Sequence, residues 1–351
     1  MIWYILVATF LFIGFFAKNP DKYYKLSIIL LFVFTAFRDT SLGDYNNITY
    51  KTMFMMAPPL ENFCVTRLEY EVGYTFLESI TKVFSQDFRV FQVVYTLVAI
   101  ILLGLVVNKL GFEAREKNLF LFVYFCMRFF INNFIILRQN IANMIIWYML
   151  LAGFSLLISM IFVVLSAQFH MTSYANIVTV FVYKEITKFN IRKIYIVAVI
   201  SSVILVMFSS GIVNNIVNMF IVFAGEKYSK YLLEEGGGAA GQNGMYYLLR
   251  MFFFSLFYWK YNLIQSKNKK NLFCISAVAV VLGSINVDIF SRFMEFYMIG
   301  IYGIMTLSYK VFDQKSQKIY IAMLYIAMLV IMIRQLNVYG AGFLKQYRLF
   351  F

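Results

Sequence analysis

The sequence predicts an all-α, polytopic membrane protein, and three observations carry that prediction. Hydrophobic residues fill 62% of the 351 positions and charged residues only 14%, with a mean hydropathy of +0.75. A water-soluble domain of this length is far less apolar. Apolar runs recur along the whole chain, and a bilayer core about 30 Å thick takes roughly 20 such residues per helix. The basic residues are also unevenly shared: one set of connecting segments carries 17 Lys and Arg against 5 acidic residues, the alternate set 12 of each. Cytoplasmic loops collect Lys and Arg, so this asymmetry orients the chain.

Taken in order, the first run, 1–17, has no basic residue before it and no small-residue cleavage site, so it reads as a retained helix and places the N-terminus outside. The clusters Lys18/Lys22/Lys25, Lys109/Arg115/Lys117, Lys184/Lys188/Arg192/Lys193, Lys260/Lys267/Lys269/Lys270 and Lys310/Lys315/Lys318 all fit the cytoplasmic side. Between them spans are expected near 1–17, 26–37, 91–107, 119–137, 194–213, 244–259, 271–287, 293–309 and 319–333. The stretch 139–183 holds His170 as its only side chain able to carry charge. One crossing is too short for it, and two would put Lys184 on the wrong face. Three short crossings satisfy the charges, one of them broken or re-entrant and so lining a cavity or buried in protein. The total is about twelve spans in one integral domain over 1–351.

The outer side then holds a segment over 38–90, a second over 214–243, and turns around Arg138, His170 and Arg292. The first interleaves charge with Tyr45, Tyr50, Phe54, Phe63, Tyr70, Tyr74 and Phe76, a pattern for amphipathic helices lying in the interface. Pro58 and Pro59 should divide it in two. In the second, Gly236, Gly237, Gly238, Gly241 and Gly244 follow Glu234 and Glu235 without a phosphate-loop pattern, which reads as a flexible tether. Cys64, Cys126 and Cys274 show no paired spacing and read as packing residues. The formal charge of +14 lies in short clusters between apolar runs, which argues against a nucleic-acid partner. No metal-binding cluster, serine elbow or Walker loop is present, and neither a cofactor nor a metal is expected.

A charge in or beside an apolar span costs at least about 2.5 kcal/mol and calls for a partner. Arg38, Arg138 and Arg292 fall at predicted outer span ends. Singly each could snorkel to headgroups, but a guanidinium fork also suits a diphosphate. Arg128 and Arg250 lie deeper and need a structural ion pair or a substrate contact. His170, followed by Thr172 and Ser173, could accept a proton from a sugar hydroxyl or sit hydrogen-bonded in a core. Glu71 and Glu69 stand among aromatics that suit sugar faces. Asp44 follows Gly43 and reads equally as a turn residue.

Several short elements carry a family resemblance: FRDTSLGDYNNITY with Arg38 and Asp44, EVGYTFL with Glu71 and Tyr74, LRQNIANMI with Arg138 and Gln139, FHMTSY with His170, and SRFMEFY with Arg292. Their order and spacing resemble the EpsG branch of the Wzy-type polysaccharide polymerases of bacteria, over most of the chain. Val72 stands where the family usually has proline, and extra residues separate Arg38 from Gly43. The resemblance implies polymerisation of oligosaccharide repeat units carried on undecaprenyl diphosphate, for O-antigen, capsule or exopolysaccharide, at the outer leaflet of the bacterial inner membrane. It makes Arg138, Arg38 and Arg292 the lipid-diphosphate ligands and leaves either His170 or Glu71, not separated by the sequence, as the proton acceptor, with Asp44 third. Glu69, Tyr74, Gln139 and Arg250 are further substrate contacts. The sequence leaves open whether a chain-length regulator binds. A flippase for the same lipid-linked units and a ligase of finished glycan are the rival readings. The first should show two related halves and the second a large late outer loop; neither is present.

Overall fold

The computed structural model describes residues 1–39, 45–65, 70–207, 240–260, 266–285, 288–339 and 347–348, and every regular element among them is helical. In chain order these are α1 (Ile2–Ile13), α2 (Pro20–Ala36), α3 (Tyr45–Met56), α4 (Val72–Lys82), α5 (Phe88–Lys109), α6 (Ala114–Tyr124), α7 (Phe130–Phe134), α8 (Leu137–Ala152), α9 (Leu156–Ala167), α10 (Asn176–Ile186), α11 (Ile191–Met207), α12 (Ala240–Trp259), α13 (Lys267–Leu282), α14 (Asp288–Glu295), α15 (Met298–Leu307) and α16 (Gln314–Tyr339). The second outer segment lies outside the described residues as far as position 239, as do Asp44 and Glu69.

Local chemistry sets the helix starts. Asn19 accepts a hydrogen bond from the Lys22 amide at 3.2 Å ahead of Pro20, Asp87 accepts from the Arg89 amide at 2.9 Å, and Glu113 and Glu116 form a reciprocal capping box. α3 stops just before Pro58 and Pro59, a short 3-10 turn follows at Leu60–Asn62, and α4 starts at Val72. The stretch expected to hold three short crossings contains three short helices, α8, α9 and α10, of 16, 12 and 11 residues. Gly153, at φ +65°, ends α8 in the left-handed region that a Cβ disfavours.

Two expectations need correction. The span predicted over 293–309 is interrupted: α14 and α15 are separated at Phe296 and Tyr297, where the Tyr297 hydroxyl donates to Asn176 Oδ1 at 2.8 Å and also pairs with Thr179. A tyrosine bonded to another helix holds the chain out of register. Cys64 is exposed, whereas Cys126 and Cys274 are buried packing residues. Two described helices, α5 and α16, are long and apolar enough to cross a membrane, and α1 and α9 are shorter apolar helices. α16 exposes Ile319, Met323, Ile326 and Val330 along one stripe, and α5 exposes Leu97, Ile101 and Leu105. Apolar stripes on an outward face suit hydrocarbon better than water.

The helices gather into two compact units, Met1–Tyr174 with Gln314–Phe351, and Ala175–Asp313. In the first, Phe34 stacks on Tyr347 at 4.2 Å and meets the edge of Tyr4 at 5.4 Å. Between α6 and α7 the helix loosens into a π turn, Phe125–Phe129, and Gln335 of α16 donates to the Met127 carbonyl there at 2.7 Å. A π turn disturbs the regular amide ladder, and a side-chain amide makes good the loss. Beneath α8, Asn140 donates to Asn133 and to the Tyr95 hydroxyl, each at 2.9 Å, and Tyr95 donates to the Leu137 carbonyl at 3.2 Å. In the second unit α13 and α15 approach closely at Gly300.

A Cβ at Gly300 would stand 2.5 Å from the Ser276 backbone nitrogen, a contact that only helix separation relieves. Gly300→Ala is therefore expected to cost about 1–3 kcal/mol, read by thermal unfolding in detergent. Gly104→Ala, with nothing within 4 Å, should be neutral or slightly stabilising.

Candidate active site

The site is assembled in the first unit from three regions of chain: the N-terminus of α4, the first turn of α8 and the turn after α9. Glu71 occupies the position just before α4, with an extended backbone and its carbonyl accepting from the Thr75 amide at 3.0 Å. A carboxylate there ordinarily bonds back to the helix's own free amides. Glu71 makes no such bond. Those amides are met instead by the Gln168 carbonyl, which accepts from Gly73 at 2.8 Å and from Tyr74 at 3.3 Å. The approach is so close that a Cβ on residue 73 would lie 3.0 Å from the same carbonyl oxygen, which explains the glycine. Val72 takes the first helical position, where the amide is orphaned in any case, so the absence of the family's proline leaves the geometry intact.

Relieved of capping, the Glu71 carboxylate points at Arg138 and His170. Its Oε2 accepts from Arg138 Nη1 in a close ion pair. Oε1 lies 3.5 Å from His170 Nδ1 and accepts from the Met171 amide at 3.3 Å. The Glu71, Arg138 and His170 side chains are 15%, 27% and 13% exposed, so the cluster is mostly shielded yet reachable. Arg138 is held from other sides too: the Tyr50 hydroxyl hydrogen-bonds to it, and the Tyr70 ring lies 5.5 Å from its guanidinium carbon. Its Nε is buried without a hydrogen-bond partner among the described residues. Burial pushes the Glu71 carboxyl up, but the hydrogen bond from His170 and the charge of Arg138 outweigh it and hold the group at about 2. Glu71 is therefore a firmly ionised anchor and a weak proton acceptor.

Of the residues singled out from sequence, the structure brings together Glu71, Arg138 and His170. Tyr74, the residue directly after Gly73, is fully buried, and its electrostatic partners include Arg138. Gln139 is buried in α8 next to Arg138. Arg38 stacks at 4.0 Å over the Phe134 ring, and its backbone carbonyl accepts from Gln92 at 2.9 Å. Arg292 and Arg250 belong to the second unit. Arg250 donates to the Gly283 carbonyl at 3.3 Å and lies within electrostatic reach of Glu295, as a deep arginine requires. Arg128 falls in the π turn. Sequence reasoning did not single out Tyr50, the Gln168 carbonyl or Glu78. Of these only Tyr50 left a trace, as one of the aromatics interleaved with charge over 38–90.

Among the described residues no group of three His, Cys, Asp or Glu side chains is placed to hold a metal ion. No curated protein and no solved structure matches the chain. The sequence model of the EpsG family does, over residues 21–349. With that match spanning nearly the whole chain, and the Glu71, Arg138 and His170 elements of the resemblance meeting in one cluster, the protein belongs to the EpsG family, a Wzy-like family of polysaccharide polymerases.

Proposed function

We propose that the protein joins oligosaccharide repeat units carried on undecaprenyl diphosphate, and that the Glu71, Arg138 and His170 cluster is where it does so. The observation that carries this reading is the division of labour in the cluster. Glu71 approaches one nitrogen of the imidazole, Nδ1, and in this reading the other, Nε2, serves the substrate hydroxyl. A carboxylate that fixes the imidazole and steadies its positive charge makes His170 the better proton acceptor of the two. Arg138 keeps further N–H groups for an anion and stands within the same cluster.

In the proposed reaction a hydroxyl oxygen of the acceptor glycan attacks the anomeric carbon of the donor. The bond from that carbon to the diphosphate oxygen breaks, and its electron pair leaves with the lipid diphosphate, whose growing charge Arg138 stabilises. The hydroxyl proton passes to His170 Nε2 and then to water. No nucleotide is consumed, because the donor arrives activated. A single displacement inverts the anomeric centre. Arg38 and Arg292 are proposed as further lipid-diphosphate contacts, and Asp44 and Glu69 as contacts to glycan. The charge asymmetry supports about twelve crossings, with the cluster and the segments 38–90 and 214–243 on the outer face of the cytoplasmic membrane.

Purified protein in nanodiscs, given its lipid-linked repeat unit with chelator and without nucleotide, should produce a ladder of polymer on a gel. His170→Ala should slow it by about 10²–10⁴-fold and Arg138→Ala by about 10²–10³-fold. Arg138→Lys should restore little, since a point charge does not replace the fork. Labelled lipid crossing liposomes without any ladder would hand the case to a flippase, and retention at the new linkage would rule out the single displacement.

Glu71 also makes a pH signature. Its folded value lies below the ordinary carboxylate value, so the stability it contributes is present above about pH 4.5 and is lost as pH falls toward about 2. Thermal unfolding between pH 6 and pH 3 should show a shallower acid loss in Glu71→Gln than in the parent.

A further inference from the structure

α4 is built inside out. Its buried residues are Tyr74, Thr75, Glu78, Ser79 and Thr81, while Phe76 within it and Val83 and Phe84 just beyond it are exposed. Glu78 has no exposed surface, and neither of its carboxyl oxygens has a hydrogen-bond partner among the described residues; the hydroxyls of Tyr74, Thr75 and Ser79 are likewise unpartnered there. Buried polar atoms are nearly always bonded, and a cluster of such atoms on one helix face beside the site calls for a purpose.

Glu78 lies one helical turn after Tyr74 on the buried face of α4, and the Tyr74 ring packs 6.0 Å from that of Tyr50, whose hydroxyl bonds to Arg138. The same arginine serves both acids: it pairs directly with Glu71 and acts electrostatically on Glu78. The charged and titratable groups that act on Glu78 are Lys82 and Tyr74 on its own helix and Arg138 from α8, while Tyr50 from α3 and Tyr95 from α5 act on Tyr74 beside it. Lys82 is committed elsewhere, donating to the Met55 carbonyl at 3.1 Å and to that of Ala57. Glu61 and Arg89, on the neighbouring elements, are exposed. Burial pushes the Glu78 carboxyl up to about 8, against the pull of Lys82 and Arg138. Two carboxyl groups, one just before α4 and one buried within it, are thus kept in opposite states, Glu71 ionised and Glu78 neutral.

We propose that Glu78 is a positioning residue that works in its neutral form, and that its ionisation switches off anion binding at Arg138. This rests on the reading that Arg138 holds the lipid diphosphate. With Glu78 neutral, the Arg138 and Glu71 pair carries no net charge, and the remaining N–H groups of the guanidinium can receive a diphosphate. With Glu78 ionised, two carboxylates act on one arginine, the net charge around it becomes negative, and a diphosphate is repelled. The buried hydroxyls of Thr75 and Ser79 are the groups nearest in sequence able to turn toward the acid.

The test is binding of farnesyl diphosphate to the full-length protein in nanodiscs from pH 6.5 to pH 9.5, by titration calorimetry. The parent should lose about tenfold in affinity across a transition near 8, as one added charge beside the anion would cause. Glu78→Gln and Glu78→Met, both neutral, should bind as the parent does at pH 6.5 and hold that affinity at pH 9.5. The ionisation of the probe itself is common to all variants and cancels in their ratios. An alkaline loss that persists in Glu78→Gln while Arg138→Ala has lost binding overturns this inference alone. Parent-like binding by Arg138→Ala overturns the reading of Arg138 and this inference with it.

Discussion

The first amides of a helix must find an acceptor, and at α4 the choice of acceptor decides what Glu71 is free to do. The Gln168 carbonyl takes the Gly73 and Tyr74 amides, so the carboxylate that would otherwise cap the helix turns outward to Arg138 and His170. An uncapped N-terminus would cost about 1 kcal/mol. Here the same backbone contact that avoids this cost also fixes the turn carrying His170 against the helix carrying Glu71. The glycine, the missing cap and the ion pair are therefore one arrangement. A bulkier residue 73 would push the turn away and separate the imidazole from its carboxylate.

Arg138 needs an equally firm base, and the polar ladder below it supplies one. Asn133, Asn140, Tyr95 and the Leu137 carbonyl bond to one another inside an apolar unit. Gln92 donates to the carbonyls of Thr35, Ala36 and Arg38, tying the end of α2 to α5. Each such bond contributes modestly when made, yet leaving a partner stranded costs about 1–3 kcal/mol. Networks of this kind specify one packing among many apolar alternatives. They hold the first turn of α8 where its arginine meets a carboxylate from a distant segment.

Much of this was legible in the sequence because hydrocarbon penalises polarity. An arginine, a histidine and a glutamate set among apolar runs stood out, and all three meet in one cluster. The helical class, the break at Pro58 and Pro59, and the three short helices between positions 137 and 186 followed from composition and charge. The twelve crossings were read from charge alone, and length and apolarity single out only α5 and α16 among the described helices. What could not be read was contact between remote segments: the Tyr50 bond to Arg138, the Gln168 carbonyl as a cap, and the interruption at Tyr297. Glu78 went unnoticed for another reason. Amphipathic reasoning assigns a glutamate to the solvated face, whereas α4 turns its polar side inward.

The pairing between Glu71 and Arg138 spans 67 residues, and that between Glu71 and the Met171 amide spans 100. During synthesis the segment bearing Glu71 is made well before its partners exist. Until α8 and α9 have left the ribosome, neither the guanidinium nor the Gln168 carbonyl is there to receive it, and α4 has neither a cap nor a counter-charge. The order of translation thus delays assembly of the cluster until more than 170 residues have been made, so a nascent chain halted earlier holds the carboxylate without the groups that give it a role.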